Sequence, residues 1–353
     1  MALSAARWKR FAESRFAHER EALEYLRDGL PDVDPITMYS NFEFVADDGS
    51  VNDIDALVVT RVGLFLVEIK SRPGAIRGNR HTWFWEHDGR VITMDSPLIL
   101  TNSKAKKLAD LLGRQKPFRS ERRPWVEALV FCSEPGFSNQ LPESERMRIC
   151  QRDRGEKHPG ILAALLRRDC PGLQPDPKAV FDRPMARRIA LALEEAGIRP
   201  SQRSRRVGDY VLGGLIEESQ LLAYQDFEAE HPTTKIRRRV RLYNVAGATD
   251  GAREAVRKVA LQEYLILEGL DHPSILRALD FKEHEIGPAI FFPREPDEVR
   301  LDHFLAQHGA SLTLDQRLEF VRQIADALRY AHGRRVLHRA LSGCPIIRSQ
   351  CEA

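Results

Sequence analysis

Apolar residues recur along the first third of the chain with two periods, one typical of helices and one typical of strands. Residues 13–30 carry a helical stripe, and one acid, Glu19, falls on that stripe. Further on, apolar runs bounded by turn-forming residues predict strands at 39–45, in two halves of 53–70, around 83–85 and at 125–132. An amphipathic stretch at 104–112 predicts a helix before the last of these strands. This mixture of helices and strands is typical of an α/β unit.

The remainder of the chain divides at residues 199–206, a polar and basic run typical of a linker. Helical patterns broken by prolines precede this run. After it, a strand pattern covers 237–245, and helical patterns cover 252–270 and 314–332. We therefore predict three regions: a first domain at 1–150, a helical connector at 151–204 and a second domain at 205–353.

The composition is that of a chain with packed cores. Its 353 residues suggest two domains, and 42% hydrophobic with 30% charged residues argue against wholesale disorder. The net charge is only +3, so any contact with nucleic acid must come from local patches. The five cysteines are scattered without a CxxC pair, which predicts neither a disulfide framework nor a zinc site. No apolar run suits a membrane span or a signal peptide, so we expect a cytoplasmic protein.

Three of the charged residues in the apolar hairpin at 53–74 are candidates for chemistry: Asp55, Glu68 and Lys70. Because strands have period two, Glu68 and Lys70 point to the same face. A turn centred between residues 61 and 62 would place Asp55 directly opposite Glu68, whereas a three-residue turn using Gly63 would place it opposite Ile69. Two adjacent carboxylates attract a cation, and hard oxygen ligands suit Mg²⁺. The alternative is that Asp55 caps a strand and that Glu68 pairs with Lys70 or Lys104 on a solvated edge.

The stretch NDIDALVVTRVGLFLVEIKSRPGAIRG, with HEREALEYL before it and a tryptophan-rich strand after it, resembles the NERD (nuclease-related) domain over residues 12–135. This family is placed with the restriction-endonuclease-like, PD-(D/E)xK nucleases. The resemblance implies a mixed sheet flanked by helices, with Asp55, Glu68 and Lys70 as the catalytic set. It also implies Glu19 as an upstream acid, and Asp55 and Glu68 as ligands of Mg²⁺. One departure is Leu100, where the family often has glutamine; Lys104 is a candidate substitute.

A basic run lies beside this expected site. Between residues 104 and 123 there are eight lysines and arginines against two acids. We expect nucleic acid as a partner, bound through the phosphate-contacting candidates Lys104, Lys106, Lys107, Arg114 and Lys116. The alternative is that these basic residues only form a solvated face. The same alternative applies to the basic clusters at 203–206 and 237–241.

The second domain resembles the start of a protein kinase, an α+β N-lobe. QEYLILEGLDHPSIL has the shape of the kinase αC helix, so Glu263 corresponds to the glutamate that pairs with a phosphate-binding lysine. RVGDYVLGGL resembles the glycine-rich loop through Gly213 and Gly214, and VLHRA resembles the catalytic HRD through His338 and Arg339. However, Tyr243 stands where the lysine should be and Ala340 where the catalytic aspartate should be. We therefore expect a degenerate, truncated kinase-like domain, and ATP as a cofactor is doubtful.

The order of the two domains resembles the PglW-type kinases of bacterial BREX and phage-growth-limitation systems. This implies a role in bacteriophage defence, with other defence proteins as further partners and no membrane. Our leading hypothesis is a Mg²⁺-dependent nuclease domain fused to a degenerate kinase-like domain. Two alternatives stay open: a non-catalytic module that binds nucleic acid or protein, and a fragment of a working Ser/Thr kinase.

Overall fold

The computed structural model describes residues 2–14, 17–154, 160–173, 180–201, 206–219, 224–243, 245, 250–284, 286–295, 298–337 and 347–348. Its contacts separate the chain into two compact units. The first comprises residues 1–47 and 51–202, and the second comprises residues 48–50 and 203–353. Each unit is described by itself below. None of the helices in the described part of the chain combines the length and apolarity needed to cross a membrane.

Eleven strands and four α-helices make up most of the described part of the first unit. Its strands are β1 (Trp8–Arg10), β2 (Thr37–Val45), β3 (Val51–Thr60), β4 (Gly63–Lys70), β5 (Ala75–Gly78), β6 (Thr82–His87), β7 (Arg90–Asp95), β8 (Val126–Cys132), β9 (Ser138–Asn139), β10 (Ile149–Cys150) and β11 (Arg199–Pro200). Its helices are α1 (Ala17–Gly29), α2 (Pro97–Arg114), α3 (Ile161–Arg167) and α4 (Arg183–Glu195). The region predicted as a helical connector thus contributes α3, α4 and β11 to this unit.

The main sheet of the first unit has the order β1-β2-β3-β4-β8-β10, and β11 pairs with β2. The β2–β3 and β3–β4 pairs are antiparallel, whereas β4–β8 and β8–β10 are parallel. Period two along β4 directs alternate side chains to opposite faces: Phe65 and Val67 pack with α1 and α3, while Leu64 and Leu66 pack with α2 and α4. The expected mixed sheet flanked by helices is therefore confirmed.

A smaller sheet, of order β7-β6-β5-β9, packs beside the main one. Trp83 and Trp85 of β6 belong to this smaller sheet and are buried against Val130 and Cys132 at the end of β8. The tight start of β5 requires glycine at residue 74: φ is +110°, and an added Cβ would lie 2.1 Å from the carbonyl oxygen of Glu86.

Eight strands and three α-helices make up the described part of the second unit. Its strands are β12 (Arg206–Val207), β13 (Tyr210–Ser219), β14 (Tyr224–Glu230), β15 (Arg237–Tyr243), β16 (Asp280–Lys282), β17 (Ala289–Pro293), β18 (Val299–Arg300) and β19 (Ile347–Arg348), and its helices are α5 (Asp250–Glu268), α6 (Leu301–His308) and α7 (Leu314–Gly333). The sheet order is β12-β13-β14-β15-β17-β16, with antiparallel neighbours throughout. Helix α5 packs on this sheet through Ala260. Helix α7 begins at a capping box formed by Thr313 and Gln316.

Candidate functional site

The β3–β4 hairpin has the register that brings Asp55 level with Glu68. Its Cα partners run from Thr60 opposite Gly63 to Ala56 opposite Val67, so the turn has two residues. One further residue along each strand gives Asp55 and Glu68. The two-residue turn is therefore the correct one of the two predicted alternatives, and the three-residue turn is wrong.

Asp55 marks the point where β3 and β4 separate. The ladder between these strands ends at Ala56 and Val67, while β4 continues beside β8 as far as Lys70. Instead of another backbone rung, Asp55 Oδ2 accepts the N–H of Ile69 at 2.7 Å. The buried carboxylate thus satisfies a donor that the diverging strand leaves behind. As a result, Asp55 and Glu68 lie together at a fork in the sheet.

Glu68 is held by two ammonium groups. Lys70 Nζ donates to its Oε1 at 2.8 Å, and Lys104 Nζ donates to its Oε2 at 3.0 Å. The Glu68 and Lys104 side chains are 12% and 11% exposed, while Lys70 is 30% exposed. Burial alone would raise the pKa of the Glu68 carboxyl, but the charges of Lys104 and Lys70 and their hydrogen bonds hold that pKa well below its usual range. Glu68 is therefore ionised at any physiological pH.

Glu19 is positioned by α1, which packs on the face of the sheet opposite to the face covered by α2. The side chain of Glu19 is buried in the first turn of this helix. Ser71 Oγ lies 3.4 Å from the carbonyl oxygen of His18, so that turn approaches the end of β4, next to Lys70. Glu68 contacts Lys104 of α2 on the other face, so a role for Glu19 in the predicted site stays a prediction. Phe16, predicted on the same stripe, lies outside the described residues.

The chemistry of the donor set determines how a metal could be held here. Asp55 and Glu68 offer oxygen ligands, but Lys70 and Lys104 already balance their two negative charges. In the described ranges, no group of three or more His, Cys, Asp or Glu side chains could hold a metal ion. Mg²⁺ commonly uses one or two protein carboxylates together with substrate phosphates, so Asp55 and Glu68 as ligands of this ion stay a prediction.

The basic run after Lys104 does not form one continuous cationic surface. Lys104 is buried against Glu68, so its interpretation as a surface phosphate contact is wrong. Arg114 pairs with Asp47, and Lys116 Nζ lies 3.5 Å from Glu195 Oε1. Lys106 is exposed, two residues from Lys104 and hence on the far side of α2. A nucleic-acid role for Lys106, Lys107, Arg114 and Lys116 stays a prediction.

In the second unit, Glu263 of α5 has a cationic partner that the sequence reasoning missed. Arg241 Nη1 donates to Glu263 Oε1 at 2.6 Å, and Tyr243 OH donates to Glu263 Oε2. Arg241 and Tyr243 are two residues apart on β15 and so share a face. The glutamate–cation pair expected of a kinase N-lobe is present, but its cation lies two positions before the place at which lysine was expected.

Arg241 is fully engaged by other groups of this unit. Its Nε and Nη2 donate to the two carboxylate oxygens of buried Asp226, each at 2.9 Å, and the guanidinium stacks 3.9 Å from the centre of the Tyr224 ring. Although burial lowers the pKa of Arg241, Asp226 and Glu263 raise it above its ordinary value. Burial and the Glu263 charge likewise raise the pKa of Tyr243, so its hydroxyl stays protonated.

Arg239 completes this ion network. Its guanidinium donates to Asp226 and, at 3.1 Å, to Glu217. Two arginines and three acids give the network a net charge of 2 − 3 = −1. Two members of the basic cluster at 237–241 are thus inside an ion network rather than on a solvated face. Alternation of Arg239, Arg241 and Tyr243 along one strand was the signal in the sequence that could have indicated this.

The remaining kinase-like positions are only partly described. Gly213 and Gly214 lie inside β13, where the pairing with β14 shifts between Leu212 and Leu215. They therefore form a bulge in a strand, and neither has a positive φ. His338, Arg339 and Ala340 lie outside the described residues.

Family models match both parts of the chain. The model described as "Nuclease-related domain" (NERD) matches residues 14–133, which contain the Asp55–Glu68 fork. The model described as "Protein tyrosine and serine/threonine kinase" matches residues 240–349, which contain Arg241 and Glu263.

Individual proteins are similar to the chain as a whole or to part of it. The chain is 33% identical over 345 residues to a "Probable kinase PglW" of Streptomyces coelicolor; the match covers 97% of this chain but 21% of that relative, so the chain spans about a fifth of its length. Among solved structures, the PknI kinase domain of M. tuberculosis is 22% identical, with 41% of this chain and 56% of that one covered and a TM-score of 0.33. Rad53 in complex with AMP-PNP is 24% identical over 38% of this chain and 33% of that one, with a TM-score of 0.32. Residues 14–133 are thus similar to a nuclease-related domain and residues 240–349 to a protein kinase, and the chain as a whole is similar to about a fifth of the Streptomyces protein.

Proposed function

We propose that the first unit is a nuclease domain that hydrolyses phosphodiester bonds of nucleic acid, with Asp55, Glu68 and Lys70 as its site. The observation that carries this proposal is the fork between β3 and β4, where buried Asp55 lies level with buried Glu68 in the hairpin register and two lysines pair with Glu68. A mixed sheet with helices on both faces is consistent with the restriction-endonuclease-like fold that the sequence resemblance implies.

The side chains at the fork have complementary tasks in this proposal. Asp55 and Glu68 would hold Mg²⁺ that enters with a substrate phosphate, and the ion would polarise the phosphodiester and activate water. Lys70 is the more exposed of the two lysines, so it can turn from Glu68 toward the negative charge that develops on the phosphate. Lys104 stays buried and keeps Glu68 ionised and oriented. Arrival of substrate and ion together explains how a site whose charges already cancel could take up a divalent cation.

Plasmid nicking by the full chain tests this proposal, with Mg²⁺ and with EDTA. Glu68→Gln removes the charge but keeps the shape, and we expect it to slow nicking at least about 100-fold. Glu127→Gln is the matched control, because Glu127 also lies in the main sheet and forms a buried pair, with Arg168 at 2.6 Å. It should leave nicking unchanged. Equal nicking by both variants would remove Glu68 from the reaction.

A second candidate function is a non-catalytic nucleic-acid-binding module. The complete pairing of Glu68 with Lys70 and Lys104 favours it, because a carboxylate neutralised in this way is a poor resident ligand for a metal. Salt-dependent binding of DNA or RNA without cleavage in Mg²⁺ would support this function over hydrolysis.

For the second unit we propose a kinase-like domain that does not transfer phosphate. Tyr243 cannot supply a permanent cation, and Arg241 has its donors occupied by Asp226 and Glu263. The network's net charge of −1 opposes binding of a triphosphate. Thermal unfolding of the full chain with and without Mg²⁺–ATP tests this: no shift is expected, and a clear upward shift would contradict the proposal.

The biological setting that we propose is bacteriophage defence, by analogy with PglW-type systems. Nucleic acid and other defence proteins are the partners this implies. To test this, a host strain with the gene deleted is complemented with the wild type or with the Glu68→Gln variant. If the fork serves in defence, phage should form more plaques on the strain that carries Glu68→Gln.

A further inference from the structure

Two cysteines of the first unit lie in contact without being bonded. Cys150 ends β10, which pairs with β8, and Cys170 follows α3. Their Sγ atoms are 3.6 Å apart, although 20 residues separate them in the sequence. A disulfide has an S–S distance of about 2.05 Å, so the sulfurs need to approach by roughly 1.5 Å.

The backbone around both cysteines is fixed by hydrogen bonds. The N–H of Arg148 donates to the carbonyl of Pro171 at 2.8 Å, which ties the strand of Cys150 to the segment of Cys170. The N–H of Cys170 donates to Arg168 at 2.9 Å, and that of Leu173 donates to Cys170 at 3.2 Å. Because the two segments are held side by side, the thiol pair is a persistent feature of this part of the fold.

The two thiols differ in chemistry. Cys150 is 4% exposed and donates its S–H to Cys170, whereas Cys170 is partly exposed. This hydrogen bond lowers the pKa of Cys170 against the opposing effect of burial; Arg148 also lowers it and Asp169 raises it. The same hydrogen bond, followed by burial, raises the pKa of Cys150. The accessible member of the pair is therefore the better thiolate, and the buried member is the proton donor.

We propose that Cys150 and Cys170 form a site of reversible oxidation by hydrogen peroxide. The Cys170 thiolate attacks one peroxide oxygen and breaks the O–O bond; with one proton, this gives a sulfenic acid and water. The Cys150 sulfur then attacks Cys170 Sγ, and the S–OH oxygen leaves as water with the Cys150 proton. In total, two thiols and one peroxide give one disulfide and two waters. The bond clamps β10, at the edge of the main sheet, to the segment after α3.

Peptide mapping of the full chain after peroxide treatment tests the proposal. The protein is exposed to hydrogen peroxide, free thiols are blocked with N-ethylmaleimide, and the digest is analysed by mass spectrometry. We expect a peptide cross-linked between Cys150 and Cys170 that disappears after treatment with dithiothreitol. Cys132, which is buried at the end of β8, should be recovered as a thiol and serves as the internal control.

Two variants assign the roles within the pair. Cys150→Ser should lose the cross-link but accumulate a sulfenic acid at Cys170 that dimedone traps. Cys170→Ser should lose the cross-link and leave Cys150 a thiol. Tryptophan fluorescence of each variant verifies that the unit is folded. A wild type without the 150–170 cross-link, or a cross-link of either cysteine to Cys132 instead, would overturn the proposal.

Discussion

Replacing Lys104 by methionine removes one of the two ammonium groups that hold Glu68 while keeping most of the apolar stem. Both side chains of this pair are about nine-tenths buried, so water cannot replace the lost partner. Removing one member of a buried pair typically costs 3–5 kcal/mol. Because Lys70 still contacts Glu68, we expect the lower end, about 3 kcal/mol in the free energy of unfolding of the first unit at pH 7.

The effect should depend on pH with a defined sign. In the wild type the pKa of Glu68 lies below its ordinary value of 4.5, so its stabilising contribution is complete above that value and is lost as the pH falls toward the folded-state pKa. In Lys104→Met, only Lys70 opposes the effect of burial, so the pKa of Glu68 is higher than in the wild type. The variant therefore has less of this stabilising contribution to lose. The difference in free energy of unfolding between the wild type and Lys104→Met should narrow below about pH 4.

Urea unfolding followed by tryptophan fluorescence measures this in the full chain. All four tryptophans, at positions 8, 83, 85 and 125, belong to the first unit, so the signal is specific to it. Lys106→Met is the matched control, since Lys106 is an exposed lysine of the same helix. Equal unfolding midpoints for the two variants at pH 7 would refute the reasoning about Glu68.

Three further predictions concern other parts of the chain. Arg241→Met should weaken the attachment of α5 by about 3 kcal/mol, because Asp226 and Glu263 lose their shared partner; faster hydrogen exchange in residues 250–268 measures this, and unchanged exchange would contradict it. The double variant Arg241→Ala, Tyr243→Lys should gain a thermal shift with Mg²⁺–ATP, since it restores a lysine at the expected place; a wild type that already shifts would speak against this. Gly74→Ala should lower the urea midpoint of the first unit, because its Cβ would meet the carbonyl of Glu86; Gly89→Ala, where φ is also positive but nothing lies within 4 Å, is the control.

Much of the first unit could be predicted because its signals are local. Period two in β3 and β4 indicated which side chains share a face, and only the turn length separated the two possible registers. The helix predicted at 104–112 proved to span Pro97–Arg114. The start at Pro97 was not predicted, because the first residues of the helix do not show apolar residues at helical spacing. Proline is nevertheless favourable at the first position of a helix.

Interactions between distant segments could be predicted only in part. A pair of Glu68 with Lys70 or Lys104 was one of the predicted alternatives, but on a solvated edge rather than buried, and the partners of Arg241 were not predicted. Lys104 and Glu68 are 36 residues apart, and Arg241 is separated from Asp226 by 15 and from Glu263 by 22. A basic run in a sequence has the same appearance whether its side chains face solvent or buried acids. Only the packing of α2 on the main sheet, and of α5 on the second sheet, assigns each lysine or arginine to its partner.

The hydrogen bond from Ile69 to Asp55 affects how an inactive protein should be made. Alanine at position 55 would remove a charge and also leave a buried backbone donor without its acceptor, so lost activity and a disturbed sheet would be indistinguishable. Asparagine keeps an acceptor oxygen in the same place and changes only the charge. Comparing the two substitutions separates what Asp55 does for the sheet from what it does for a substrate.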